Sequence, residues 1–155
     1  MKMLTGSLVL LLLSGTVPGA WAQADPAKEV ADIGLKRTQA GARGDVEAVL
    51  ADVADNAVFT SSRAGFRIEG KEAYRTFLTN LYQNYPTRQG LARQVTRRVF
   101  QDGNVVVVNG YNDQTFIDKN GKPSVLMIRT SQTWVKTGGR WLLVDQHTSG
   151  MPSAP

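Results

Sequence analysis

The chain has 155 residues, with 18 Lys and Arg against 13 Asp and Glu, a formal net charge of +5, one histidine and no cysteine. Disulfides are therefore excluded, and a single histidine without cysteine cannot form the usual zinc sites. The basic residues are spread over several segments, and no helix-turn-helix, aromatic RNA-binding signature or basic arm is present, so we expect no nucleic-acid partner. No glycine-rich loop joins a strand to a helix, and we expect neither a nucleotide nor any other cofactor.

The first 24 residues have the pattern of a secretory signal peptide. Lys2 precedes an apolar run at residues 8–13, and small residues follow, with cleavage expected after Ala22 or Ala24. The apolar run is about half of the roughly 20 residues that a membrane-spanning helix needs, so no stable membrane insertion is expected after cleavage. We expect a periplasmic or secreted protein.

The mature chain begins with two predicted helices. Asp25 is a candidate N-cap and Pro26 suits the first helical position, which predicts a helix ending at about Arg43. Asp45 then caps a shorter predicted helix, whose apolar residues recur at helical spacing: Val46, Val49, Leu50 and Val53.

A strand at residues 57–62 and a short partner at residues 66–68 are predicted next, on either side of a turn. The clearest helix lies between Gly70 and Pro86, because its apolar residues form one wide stripe: Tyr74, Phe77, Leu78, Leu81, Tyr82 and Tyr85.

The second half of the chain predicts four long strands, at residues 91–101, 104–118, 122–137 and 140–150. Asp102-Gly103, Asn120-Gly121 and Gly138-Gly139 separate them, and such pairs form tight hairpins. The chain therefore predicts an α+β domain over residues 25–150, with three N-terminal helices packed on a strongly curved antiparallel sheet. A disordered tail is expected at residues 151–155.

This order of elements resembles the nuclear transport factor 2-like superfamily, whose fold is a cone, and the details resemble its SnoaL-like branch. Gly44-Asp45, residues 59–61 and Gly70 are similar to that family's first half. Its closing pattern is matched by Arg129, Ser131, Trp134, Val135, Gly139, Arg140, Trp141, Val144, His147 and Ser149. The resemblance implies a cone with a cavity, but the superfamily contains enzymes, binding modules and oligomerisation domains, so the fold does not select a function.

One departure from the superfamily argues against isomerase chemistry. Ketosteroid isomerases of this superfamily place an Asp general base on the first strand, and the corresponding position here is Ser61. A neutral hydroxyl cannot take a proton from carbon unless another base activates it.

The last hairpin suggests which polar side chains meet. If Thr137-Gly138-Gly139 forms a three-residue loop, Lys136 faces Arg140, Arg129 pairs with His147, and Ser131 pairs with Asp145. We expect this face to be the concave one, so that Ser149 also lines the cavity, below Tyr74 and Phe77 of the third helix. Tyr111 and Asp113 share a strand face and could join the site.

The predicted function is binding of a small, partly apolar, anionic molecule. Arg129 would bind the anion and His147 would donate or accept a proton if the protein is an enzyme, in a cofactor-free isomerase or lyase reaction. The further candidate ligand-binding residues are Ser61, Tyr74, Tyr111, Asp113, Ser131, Asp145 and Ser149. His147 could instead be a structural residue, and Arg129 could form a salt bridge with Asp113, with Asp145 or with a carboxylate of a helix.

A second hypothesis is a non-catalytic assembly module. Trp134, Leu142 and Val144 are predicted to form an apolar patch on the face away from the helices, which a monomer has little reason to expose. This patch predicts a homodimer.

Overall fold

The computed structural model describes residues 25–151. The predicted signal peptide, and all of the predicted tail except Met151, lie outside the described residues. Within residues 25–151, no helix is long and apolar enough to cross a membrane.

The two helices that open the domain begin where the capping residues predict. Helix α1 spans Pro26–Arg43, with the Asp25 carboxylate accepting the Ala27 N–H at 2.9 Å. Gly44 ends it in the left-handed conformation, at φ 78°. Helix α2 covers only Val46–Leu50, because Val53, which we expected on its apolar face, already begins the first strand.

The sheet has six strands in the order β2-β1-β6-β5-β4-β3. Their bounds are β1 Val53–Thr60, β2 Ile68–Glu69, β3 Thr87–Phe100, β4 Val105–Ile117, β5 Pro123–Thr137 and β6 Arg140–Gly150. Strands β1 and β6 run parallel, and the other neighbours pair antiparallel. Helix α3, Lys71–Asn84, follows β2, and a 3-10 turn at Gln101–Gly103 joins β3 to β4. The predicted α+β fold on a curved, mostly antiparallel sheet is confirmed, although the helices are not all N-terminal to the strands.

The core lies between the helices and the concave face of the sheet. Trp134 and Leu143 are both 0% exposed on β5 and β6, and they pack in one cluster with Val30 of α1 and Leu50 of α2. Each buried aliphatic side chain contributes about 1.5–3 kcal/mol to folding. Because the chain has no cysteine, its stability comes from this packing and not from disulfides.

Two irregularities curl the long strands around the helices. In β3 the pairing with β4 shifts between Arg93 and Thr96, where Gln94 has a φ of 47°. In β6 the pairing with β5 shifts so that Val144 is an extra residue between Leu143 and Asp145. Extra residues of this kind bend a strand and increase its twist, which closes the sheet into a cone.

The prediction of a three-residue loop in the last hairpin is wrong. Thr137 pairs with Arg140, so only Gly138 and Gly139 form the loop, at φ 57° and 77°. Two consecutive glycines adopt positive φ without a steric penalty, which favours the tight two-residue turn. The bulge at Val144 then shifts the pairing again, so that Ser131 lies opposite His147.

Candidate functional site

A cavity of about 620 Å³ opens between the helices and the concave face of the sheet. This volume lies within the range of about 300–1,000 Å³ that small-molecule sites occupy. Its apolar wall comes from α2, α3 and the sheet, and includes Val49, Phe77, Leu78, Val108 and Ile128.

The charged side chains in this cavity are all arginines. Among the described residues, the lining contains no aspartate, glutamate or histidine, while four guanidinium groups line it: Arg37, Arg63, Arg88 and Arg97. Neutral amides add hydrogen-bonding capacity, namely Gln89, Asn112, Gln114, Gln132 and Gln146. A cleft with one sign of charge and low-dielectric walls concentrates its field, so this cavity attracts anions.

Arg37 is held in place by three hydrogen bonds to the fold. Its Nε donates to the Val49 carbonyl at 3.2 Å, Nη1 donates to Gln146 Oε1 at 2.9 Å, and Nη2 donates to the Tyr74 hydroxyl at 3.2 Å. Each Nη nitrogen carries a second N–H, which remains available to an acceptor in the cavity. Tyr74 is in turn fixed by stacking on Phe59, with ring centroids 3.6 Å apart.

A chain of side-chain hydrogen bonds connects Arg37 to the core. Gln146 Oε1 also accepts from Gln132 Nε2 at 3.2 Å, and Gln132 Oε1 accepts from Trp134 Nε1 at 3.1 Å. Because Trp134 is completely buried, this chain orients both glutamines from the core outward. The Arg37 guanidinium is therefore held by acceptors on α2, α3 and β6, and β5 supports the β6 acceptor through Gln132.

Arg88 has a structural role in the same wall. Its guanidinium donates to the carbonyls of Gly41 and Ala42 at the end of α1, and to those of Tyr82 and Tyr85 at the end of α3. The last carbonyls of a helix have no partner within the helix, so one cation here stabilises two helix ends. Burial lowers the pKa of Arg88, but an arginine stays charged.

Tyr82 contributes a neutral hydroxyl to the cavity. Burial, the largest cause, raises its pKa to about 12. The phenol therefore stays protonated near neutral pH, where it can donate a hydrogen bond but is a poor general base.

The family model described as a SnoaL-like domain matches residues 32–154. The chain belongs to the SnoaL-like domain family.

Solved structures share the fold of this SnoaL-like domain. A nuclear transport factor 2-like superfamily protein from Salmonella enterica serovar Typhimurium is 17% identical, with a TM-score of 0.74 over 84% of this chain and 94% of that chain. The CaMKII hub of S. rosetta is 25% identical, with a TM-score of 0.70 over 84% and 100%. A chain from Streptomyces avermitilis named as a dehydratase of the NTF2-like family is 15% identical, with a TM-score of 0.73 over 84% and 100%. No curated protein matches the chain in sequence.

The predicted anchors Arg129 and His147 do not face the cavity of the SnoaL-like domain. In β5, Ile128, Thr130 and Gln132 line the cavity, so the intervening Arg129 and Ser131 point to the convex face. Arg129 and His147 are both exposed. The prediction was wrong because Trp134, assigned to the outer face, is buried on the inner one.

The other predicted residues divide between the two faces. Ser61 and Tyr74 line the cavity. Tyr111 also belongs to the lining, but it pairs with Arg129, so its side chain points to the convex face. Ser131, Asp145 and Ser149 share the convex face with Arg129 and His147, where Ser149 pairs with Arg129. Asp113 also lies outside the cavity lining and forms an ion pair with Arg93. Among residues 25–151, no group of three or more His, Cys, Asp or Glu side chains could hold a metal ion.

The sequence analysis missed Arg37, although a signal for it exists. Val30, Ile33, Arg37 and Ala40 recur at helical spacing on α1, so an arginine stands within the apolar stripe that packs on the core. A charged residue at a core-facing position needs a partner or a function, because arginine is rarely buried without one.

Proposed function

We propose that this SnoaL-like domain binds a small, partly apolar anion in its conical cavity. The observation that supports this most is the charge of the lining, in which arginines have no acidic neighbour within the described residues. Arg37 would hold the acceptor group of the ligand, while Phe77, Leu78 and Ile128 would contact its apolar part. The signal-peptide pattern of residues 1–24 supports a role in the periplasm or outside the cell.

The cavity favours binding over proton transfer. A cofactor-free isomerase or lyase needs a base whose pKa lies near the working pH, usually a histidine or a carboxylate. The described lining contains neither, and the Tyr82 pKa of about 12 is too high for that role. We therefore propose ligand binding and not the proton transfer predicted for His147 and Arg129, which do not line the cavity.

Binding can be tested with simple carboxylates. Benzoate and hexanoate are probes of the proposed class, and thermal shift and calorimetric titration measure their binding. Arg37→Met should weaken both by about tenfold or more, since a hydrogen bond to a charged group contributes about 1.5–3 kcal/mol. Arg98→Met removes the same charge from an exposed position of β3 outside the cavity lining and should change little.

Two outcomes would contradict the proposal. If the wild-type domain binds neither probe at millimolar concentration, the cavity is not an anion site of this class. If Arg37→Met and Arg98→Met weaken binding equally, binding depends on the net charge of the protein and not on a specific contact with Arg37. Arg37→Lys retains the charge and should retain part of the binding, which would exclude a folding defect as the cause of the loss in Arg37→Met. Circular dichroism checks that each variant is folded.

A second candidate function is assembly through the convex face of the sheet. Leu91, Val125, Met127 and Met151 leave 57%, 68%, 52% and 39% of their surface exposed. Their positions are close, because Leu91 and Met127 both pair with Asp113 and the Met151 N–H donates to the Met127 carbonyl. The similarity to a structure named as a CaMKII hub supports the same idea. The oligomeric state in solution tests it.

A further inference from the structure

Arg63 is another guanidinium of the cavity with free donors, and it lies in the loop between β1 and β2. Its Nε is buried and has no hydrogen-bond partner among the described residues. Its side chain forms no ion pair within residues 25–151, whereas its backbone N–H is held by the Ser61 hydroxyl at 3.2 Å. A buried donor without a partner is costly, so this group calls for an acceptor that the fold itself does not provide.

Aromatic rings fix the orientation of this guanidinium. Arg63 Cζ lies 3.8 Å from the ring centroid of Phe116 and 5.0 Å from that of Tyr85, and the two rings contact each other edge to face at 5.4 Å. Stacking of this kind uses the flat faces of a guanidinium and leaves its N–H edges free. Arg63 is thus oriented for an acceptor without being neutralised by a described carboxylate.

Arg63 lines a second, smaller cavity that Arg37 does not reach. A smaller cavity of about 240 Å³ adjoins the main one, and Arg63, Phe77 and Leu81 belong to the linings of both. Arg37 belongs to the main cavity only, where it contacts Tyr74. The apolar surface of Phe77 and Leu81 therefore belongs to the same cavity as both charged groups.

From this arrangement we infer that the ligand is a dicarboxylate with an apolar middle, whose ends bind Arg37 and Arg63. Each guanidinium presents N–H groups that match a carboxylate, and a cavity lined by four arginines and by no described acidic residue favours a doubly charged ligand over a singly charged one. Arg63 is then the residue that sets specificity. This inference rests on the proposed anion-binding function and adds the class of anion.

The test compares two acids of equal carbon chain, adipate and hexanoate, by calorimetric titration. The wild-type domain should bind adipate about tenfold or more tightly than hexanoate. Arg63→Met, which retains an apolar stem, should reduce adipate affinity to the hexanoate level and leave hexanoate unchanged. Arg37→Met should weaken both acids, and succinate and suberate show which separation of the two carboxylates fits.

The outcomes separate this inference from the function on which it rests. Equal wild-type affinity for adipate and hexanoate, with no effect of Arg63→Met, would overturn the dicarboxylate inference and leave anion binding intact. An equal loss of both acids in Arg63→Met would also overturn it, since both arginines would then hold one carboxylate. Binding of neither acid to the wild-type domain would reject the proposed function itself. Arg63→Lys should retain part of the adipate preference, which excludes a folding defect as the cause.

Discussion

Glu29 connects the first helix to the sheet through one carboxylate. Its Oε2 accepts from Trp141 Nε1 at 2.6 Å and from Lys136 Nζ at 2.9 Å. The Trp141 hydrogen bond, followed by the Lys136 hydrogen bond, lowers the pKa of Glu29 below its ordinary value of 4.5. Since α1 carries Arg37, the same contact helps to hold Arg37 in place.

The depressed pKa of Glu29 predicts how stability depends on pH. A carboxyl group whose pKa is lower in the folded state contributes stability above its unfolded pKa and loses it as the pH falls through the folded pKa. Glu29→Gln should therefore lower the melting temperature at pH 7, and the gap to wild type should narrow below the ordinary pKa of 4.5. Thermal unfolding followed by circular dichroism across the acid range measures this.

The control is Asp102→Asn, at an exposed turn where the side chain forms no ion pair within the described residues. This variant should follow the wild-type curve at every pH. A gap between Glu29→Gln and wild type that stays constant into strong acid would contradict the role given to the carboxylate charge.

At the scale of elements, the sequence predicted helices and strands well because their signals are local. The Asp25 cap, the Asp45 cap and the apolar stripe of α3 each depend on residues within a few positions. Pairing between strands was less predictable. The last hairpin has a loop one residue shorter than expected, which the Gly138-Gly139 pair does favour, and a bulge at Val144, which leaves no distinct local pattern.

These two departures explain which part of the candidate site could be predicted. The shorter loop and the bulge each shift the pairing of β5 with β6 by one residue. The two shifts together leave Arg129, Ser131 and His147 on a common face of the sheet, as expected, but opposite different residues. The choice between the concave and convex face was the remaining error. Alternation along a strand shows which residues share a side, but the side that the helices cover depends on tertiary packing.

The bulge of β3 predicts a specific steric requirement at Gly110 of β4. A Cβ at this position would lie 3.2 Å from Val95 Cγ2 and 3.3 Å from the Arg93 carbonyl oxygen. Gly110→Ala should therefore lower the free energy of unfolding by about 1–3 kcal/mol, because the bulged backbone cannot move aside easily. Urea denaturation measures the change.

Gly150→Ala is the matched control in β6, since a Cβ there meets nothing within 4 Å. It should be neutral or stabilise by a few tenths of a kcal/mol, because alanine restricts the unfolded chain. Equal unfolding midpoints for the two variants would show that the β3 bulge does not need a glycine beneath it.

For the whole molecule, the two faces of the sheet have different chemistry. The concave face carries the core and an arginine-lined cavity, while the convex face carries exposed apolar side chains beside the Arg93–Asp113 ion pair. The predicted apolar patch of Trp134, Leu142 and Val144 is wrong, since Trp134 is fully buried and the other two pack against the core. The proposed ligand binding and the proposed assembly would use different faces of the sheet, so the two functions can coexist.

The exposed apolar patch on the convex face leads us to expect self-association, which a single substitution should weaken. Met127→Lys places a charge in the centre of the patch formed with Leu91, Val125 and Met151, so it should raise the dimer dissociation constant by about tenfold or more without lowering stability. Phe66→Lys is the matched control, because Phe66 is 91% exposed in the β1–β2 loop and is not one of the four patch residues. Sedimentation velocity over a concentration series distinguishes the variants. A wild-type chain that remains monomeric at high micromolar concentration would rule out assembly through this face, since an isologous contact brings the same four side chains from both copies together.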